Sequence, residues 1–483
     1  MIDSPLLPHL DAYIDGRWTA AASGKTFKVI NPATGDHLAD VASLGRDEVL
    51  SAITAAKQAR RTPASFEQRH AWLTGIAQAL REHREEIGRI LTLEHGKPWK
   101  EGAGEADYAA GFFAYCAEHL DLLRPRTLAE KPRGCEWTVQ YRPAGVVGLI
   151  VPWNFPIGMI AKKLSSAIAA DCASVIKPAS KTPLTMLALF TLLDRVVKLP
   201  AGRANLVMGS AGMIGDALLT HPDVAVVSFT GSTEVGRELI EKSAPLVKRL
   251  TLELGGNAPF IVFEDADLDH AADQLMASKF RGNGQTCVCA NRVYVQRSVA
   301  DAYLEKVVAR VRKLKLGNGI EADTDIGPLV DRAGYEKVRF HVEDALAKGA
   351  TLLIGGGAQP IDTEWGGFHP PTVVRGVTHD MACCKEETFG PLVPVIEFDT
   401  EAQVLDMAND TEFGLAAYVF TRDEARAQRS IMALQFQHVG WNTGSGPTPE
   451  APFGGIKQSG FGREGGAEGI YEFAEAQTVP RGA

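Results

Sequence analysis

The chain has 483 residues, 50 Lys and Arg against 59 Asp and Glu, and 7 cysteines. At about 100–200 residues per domain this length holds two to four domains, and 45% hydrophobic with 23% charged residues excludes a disordered chain. A net charge of −9 excludes the electrostatic footprint of a protein that binds nucleic acid or an anionic membrane surface.

The first ten residues carry no basic segment and are broken by Pro5 and Pro8, so no secretory leader is expected. The best apolar run, residues 145–152, is far shorter than the ~20 residues that span a bilayer. The cysteines are odd in number and form no Cys-x-x-Cys pair, which argues against a disulfide scaffold or zinc ribbon and for a reducing cytoplasm. After a β-rich lead-in, the spacing of Val49, Leu50, Ile53 and Ala56 predicts one amphipathic helix. That of Trp72, Leu73, Ile76, Leu80, Ile87, Ile90 and Leu91 predicts a longer one. Residues 135–142 alternate like a strand. Apolar runs at 146–151, 174–177, 205–208, 224–229 and 258–263 then read as strands, with helical segments at 159–170, 183–197, 211–220 and 234–244 between them. A second series has strands at 291–296, 351–354, 372–377, 392–398, 415–420 and 438–441, with helices at 299–314, 334–348 and 401–408. Alternating strand and helix predicts parallel sheets covered on both faces, hence an α/β protein of two doubly wound domains. Gly255 and Gly256 interrupt the pattern, so the domain boundary is expected at 256–260.

Five segments could carry chemistry. Ser228-Phe-Thr-Gly231-Ser232-Thr-Glu-Val-Gly236 follows a strand and opens a helix, where free N–H groups could receive a dinucleotide's phosphates. Thr233 stands where the middle glycine of the usual fingerprint would be, so taken alone the segment reads more readily as a plain glycine-lined strand–helix turn. Lys177, at a strand's end, could reach a sugar or phosphate, or could be a solvated lysine. Cys287 sits in the glycine-flanked run Arg281-Gly-Asn-Gly-Gln-Thr-Cys287. A free thiol with a pKa of roughly 8.5 needs a base or positive potential to act as a nucleophile, and an inert thiol is the alternative. Glu253, inside the apolar run Leu252-Glu253-Leu254, is either salt-bridged or a buried base. Asn154, between Pro152 and Pro156, could offer its amide to an oxyanion or merely make the turn.

These segments and their order resemble the aldehyde dehydrogenase superfamily over essentially the whole chain. The matching motifs are Pro152-Trp153-Asn154-Phe155-Pro156, Lys177-Pro-Ala-Ser180, Phe229-Thr-Gly231-Ser232-Thr233, Leu252-Glu253-Leu-Gly-Gly-Asn257, Gly284-Gln-Thr-Cys287, Glu386-Glu387-Thr-Phe389-Gly-Pro391 and Pro452-Phe-Gly-Gly-Ile-Lys457. Further segments, such as Cys287-Val-Cys289-Ala-Asn-Arg292, look most like the bacterial NADP-dependent succinate-semialdehyde dehydrogenase branch. The resemblance implies a Rossmann-like cofactor domain (1–128 and 148–257), a catalytic domain (258–469), and a small β oligomerisation arm (129–147 and 470–483) that makes a homodimer or homotetramer. It implies Cys287 as nucleophile, Glu253 as general base and Asn154 as oxyanion donor. Trp153, Lys177, Ser180, Gly231, Ser232, Glu387 and Phe389 would bind the cofactor, and no metal would be needed. Ser180 stands where strict NAD users often carry Glu, so NADP is expected, with NAD as the alternative.

The branch holds its substrate's carboxylate with two arginines and a serine. Arg281 matches one arginine, but Lys162 and Pro447 replace the other two groups. Phe155, Met159 and Trp441 would line an apolar tunnel. Two substrates therefore remain open: a short semialdehyde such as succinate or glutarate semialdehyde, or a neutral aldehyde. Release of the product to coenzyme A is disfavoured by the retained Glu253. Cys289, two residues from the nucleophile, is a candidate redox switch.

Overall fold

The computed structural model describes residues 2–358 and 365–482. Its first large sheet has eight strands. Five are parallel and adjacent, in the order Ala204–Leu206, Ala173–Lys177, Val146–Ile150, Val224–Thr230, Arg249–Glu253. Taken in chain order this is 3-2-1-4-5, a doubly wound sheet whose direction of winding reverses between Val146–Ile150 and Val224–Thr230. Ligands of such sheets bind outside the carboxyl ends of the strands at that reversal. Strands such as Ala258–Val262 in the second sheet are buried throughout, which is why they read as unbroken apolar runs.

The second large sheet has seven strands. Six are parallel, in the order Thr372–Arg375, Leu392–Phe398, Ala290–Gln296, Ala258–Val262, Ala416–Phe420, His438–Trp441. Thr351–Ile354 departs from the expected pattern by joining the edge antiparallel. Ala12–Ile14, Arg17–Thr19 and Gly460–Phe461 do the same in the first sheet. Antiparallel edge strands need no crossover helix, so the strand–helix alternation does not reveal them. Strands Glu136–Pro143 and Ala474–Arg481 pair with each other along their lengths, and Arg126–Thr127 adds a third strand.

The long helix expected over 72–91 is two helices, Phe66–Glu82 and Arg84–His95, meeting at His83. Helices Trp99–Glu118, Leu268–Phe280 and Glu424–Ala433 lie outside the sequence expectations. Trp99–Glu118 crosses Arg84–His95 at backbone distance. A Cβ on Gly88 would come within 2.6 Å of the Ala103 nitrogen, and one on Gly102 within 2.7 Å of the Gly88 carbonyl. The glycines that permit this crossing also thin out the apolar pattern that would announce the helix.

Candidate active site

The strand Val146–Ile150 ends at the winding reversal and runs into the turn that carries Asn154. Pro156 then opens the helix Pro156–Ala169, its fixed φ suiting the first helical position. The turn is held from behind by two residues that sequence reasoning missed. Lys97 Nζ donates to the Asn154 carbonyl at 2.6 Å and pairs with Glu105 at 2.7 Å, and both side chains are fully enclosed. The other Glu105 oxygen accepts the amides of Ile157 and Gly158, each at 3.1 Å. The Asn154 side-chain amide donates to the Gln285 carbonyl at 3.0 Å, which ties this turn to the nucleophile's loop and leaves a second N–H for another acceptor.

That loop follows helix Leu268–Phe280. Gly282, Asn283 and Gly284 have φ of 59°, 61° and 77°, in the left-handed region. A Cβ on Gly284 would lie 2.4 Å from the Gly390 carbonyl carbon, so only glycine fits. Glu101, on the unanticipated helix Trp99–Glu118, fixes the loop by accepting the Gly282 amide at 2.7 Å. Cys287 emerges half-buried, with Sγ 4.0 Å from Glu253 Oε1. Burial and the adjacent Glu253 push the thiol well above its ordinary range. Burial likewise raises Glu253, against the opposing pull of Lys162. The thiol therefore keeps its proton at rest, beside a carboxyl whose own proton affinity is raised.

Behind Glu253 lies a buried charge cluster. Lys162 Nζ stands 3.9 Å from Glu253 Oε2 and 3.6 Å from Glu464 Oε2. Lys163 donates to Ser228 at 2.9 Å and to the other Glu464 oxygen. Burial would raise Glu464, but Lys163 and Lys162 outweigh it and hold this carboxyl low.

Two cavities meet at Cys287 and Met159. One, of about 240 Å³, is lined by Glu101, Tyr108, Phe155, Lys162, Arg281 and Pro447 among others. The second, of about 250 Å³, is lined by Trp153, Gly231, Ser232, Gly255, Glu387, Phe389 and also Lys337, which the sequence reading did not single out. Its walls suit a nicotinamide dinucleotide. Ser232 caps helix Thr233–Ser243, whose first amides can face phosphate. Phe389 meets Trp153 edge-on at 5.5 Å. Gly255 leaves room at the wall, where a Cβ would press within 3.2 Å of Glu387. Burial raises Glu387 to about 7, and its carboxyl accepts the Gly256 amide at 3.2 Å.

Other expected residues lie outside both cavities. Lys177 is buried at the end of its strand, bonded to the Pro178 carbonyl at 3.0 Å, and burial lowers it to about 8. Ser180 is exposed three residues on. Trp441 is not brought to the tunnel. It lines neither cavity; it ends the sheet's outer strand and gives its indole N–H to the Thr421 carbonyl at 3.2 Å, a partner that spacing in the sequence does not reveal. Cys289 is buried, its thiol 3.5 Å from the Gly284 carbonyl and 3.6 Å from Lys279 Nζ. Among the described residues no group of three or more His, Cys, Asp and Glu could hold a metal ion, and no helix is long and apolar enough to cross a membrane.

The model of the aldehyde dehydrogenase family matches residues 18–479. The chain belongs to the aldehyde dehydrogenase family. Among curated relatives of this aldehyde dehydrogenase, a glutarate-semialdehyde dehydrogenase of Pseudomonas putida is 47% identical over 468 residues, 96% of each chain. The NADP(+) succinate-semialdehyde dehydrogenase of Escherichia coli is 46% identical over the same share of both. A solved oxidoreductase from Marinobacter aquaeolei superposes with a TM-score of 0.97 at 61% identity, covering all of both chains. The protein is thus an aldehyde dehydrogenase of the succinate-semialdehyde dehydrogenase-like kind, with the fold of its relatives.

Proposed function

We propose that this enzyme oxidises a short aldehyde bearing a distal carboxylate, such as succinate or glutarate semialdehyde, to the acid, with NADP as the preferred cofactor. The observation that carries the proposal is the Cys287 thiol, 4.0 Å from Glu253 where two cavities meet, with Arg281 lining the substrate-side cavity. The names of the two semialdehyde relatives support the same class.

Glu253 takes the thiol proton as sulfur adds to the aldehyde carbon, giving a thiohemiacetal. The oxyanion is received by the free N–H of the Asn154 amide and the Cys287 backbone N–H, each donor worth about 3 kcal/mol. Trp153, Gly231, Ser232, Glu387 and Phe389 would hold the cofactor, with Lys177 and Ser180 toward its adenosine end. When bound, NADP supplies the hydride acceptor. After oxidation of the carbon to a thioester, Glu253 gives the thiol's proton up to solvent and is again a base; it then deprotonates the water that attacks the thioester, and returns that proton to the leaving thiolate as the acid is released and the thiol regenerated. Arg281 pairs with the distal carboxylate, and Phe155 and Met159 cover the chain between.

Ala474–Arg481 is exposed over seven of its eight residues at a sheet edge. We assign that edge to pairing with a second copy in a homodimer or homotetramer. The seven unpaired cysteines suit a cytoplasmic setting. The test compares kcat/KM for succinic semialdehyde and an uncharged aldehyde of equal length, with NADP and NAD, in wild type and Arg281→Met. The expected result is preference for the semialdehyde, lost in the variant through a tenfold or greater rise in KM. Preference for the neutral aldehyde overturns the substrate assignment.

A further inference from the structure

Lys162 lines the substrate-side cavity, yet its charge is spent behind that cavity. Its side chain is 1% exposed, and the ammonium has no hydrogen-bond partner among the described residues. Instead it lies over the Phe453 ring at 4.7 Å, between Glu253 Oε2 at 3.9 Å and Glu464 Oε2 at 3.6 Å. That Glu464 oxygen is buried with no N–H or hydroxyl donor among the described residues, and the Glu464 and Glu253 carboxyls stand within hydrogen-bond reach of each other. The other Glu464 oxygen belongs to Lys163, which is further occupied by Ser228. The cluster holds two lysines from successive positions of one helix and two carboxyls, so with both acids ionised, as Glu253 must be to act as a base, it is neutral only while Lys162 stays in it. Drawing Lys162 out to a substrate anion would leave two buried carboxylates facing one ammonium, an arrangement the interior strongly disfavours.

We propose that Lys162 is a positioning residue for the base Glu253 rather than an anchor for the substrate's carboxylate, which leaves that carboxylate to Arg281. The inference rests on the aldehyde-oxidising reading above and deepens it. The groups that face Glu253 are Lys162 and Lys163 on helix Pro156–Ala169, Glu464, the Cys287 thiol and the Thr230 hydroxyl at 3.4 Å, while Tyr108 faces Lys162 from helix Trp99–Glu118. Glu253 is raised by burial and by Glu464 and lowered by both lysines. Removing the Lys162 charge therefore raises it further, so it becomes a competent base only at higher pH.

The test uses a readout that needs no cofactor. A p-nitrophenyl ester acylates Cys287 in a burst of p-nitrophenol, and the steady rate that follows reports water activation by Glu253. In Lys162→Met the burst should persist at the high-pH plateau, where Glu253 is ionised, while the acid limb of the steady rate moves up by one pH unit or more. Lys162→Arg should restore the limb. The double variant Lys162→Met/Glu464→Gln is neutral again, so it guards against misfolding, and its limb should return toward that of wild type. KM for succinic semialdehyde, measured with NADP, should stay within threefold in all three. An unmoved limb, or a tenfold rise in KM in both Met variants, overturns the proposal and makes Lys162 a substrate anchor. A wild-type enzyme with neither burst nor aldehyde oxidation would instead refute the underlying function.

Discussion

Replacing Lys97 by Met tests whether the oxyanion site is built from behind. The substitution removes the 2.7 Å pair with Glu105 and the 2.6 Å bond to the Asn154 carbonyl from a site with no solvent to compensate. Stranding one partner of a buried pair costs about 3–5 kcal/mol. Glu105 keeps the amides of Ile157 and Gly158, so the lower end, about 3 kcal/mol, applies. That is a large share of a typical stability of about 5–15 kcal/mol. The Asn154 turn, freed on one side, displaces the amide from the oxyanion, and a 1 Å misplacement costs roughly a hundredfold in rate. Thermal melting should show a midpoint lower by several degrees, and steady-state kinetics a kcat reduced about a hundredfold with little change in KM. The double variant Lys97→Met/Glu105→Gln should regain stability, because no uncompensated charge remains. It should not regain kcat, because the Asn154 carbonyl still lacks its donor. A Lys97→Met enzyme with an unchanged midpoint and kcat within twofold of wild type would refute the reasoning.

Cofactor choice gives two further predictions. Ser180→Glu places a carboxylate where a 2′-phosphate would lie, and kcat/KM with NADP should fall tenfold or more, about 1.4 kcal/mol, while that with NAD holds; equal losses with both would count against the assignment. Burial lowers Lys177 to about 8, so the lysine is charged below that pH and neutral above it. KM for NADP should therefore rise several-fold between pH 7 and 9 with no matching rise for NAD, and parallel curves would remove Lys177 from phosphate recognition.

The parallel strands were legible because strands buried on both faces carry continuous apolar residues, as in Val146–Ile150 and Ala258–Val262. Cys287, Glu253 and Asn154 announced themselves as anomalies: a thiol among glycines, an acid in an apolar strand, an amide between prolines. The supports of the site were hidden. Lys97 and Glu105 look like ordinary surface charges until the fold encloses them, and the helix that carries Glu101, Glu105 and Tyr108 is masked by its crossing glycines. Lys162 shows the same limit from the other side. Its position suggested the substrate, but its ion partners Glu253 and Glu464 come from distant strands and loops that only the tertiary structure brings together.

The central claim is a thioester on Cys287, and trapping it is the most direct test. Wild-type enzyme, which keeps Glu253 to take the thiol proton, is mixed rapidly with succinic semialdehyde and NADP, quenched in acid within the first turnover and analysed by intact and peptide mass spectrometry; it should carry one succinyl group on Cys287. None should form without NADP. No adduct, or one on Cys289 instead, would contradict the account.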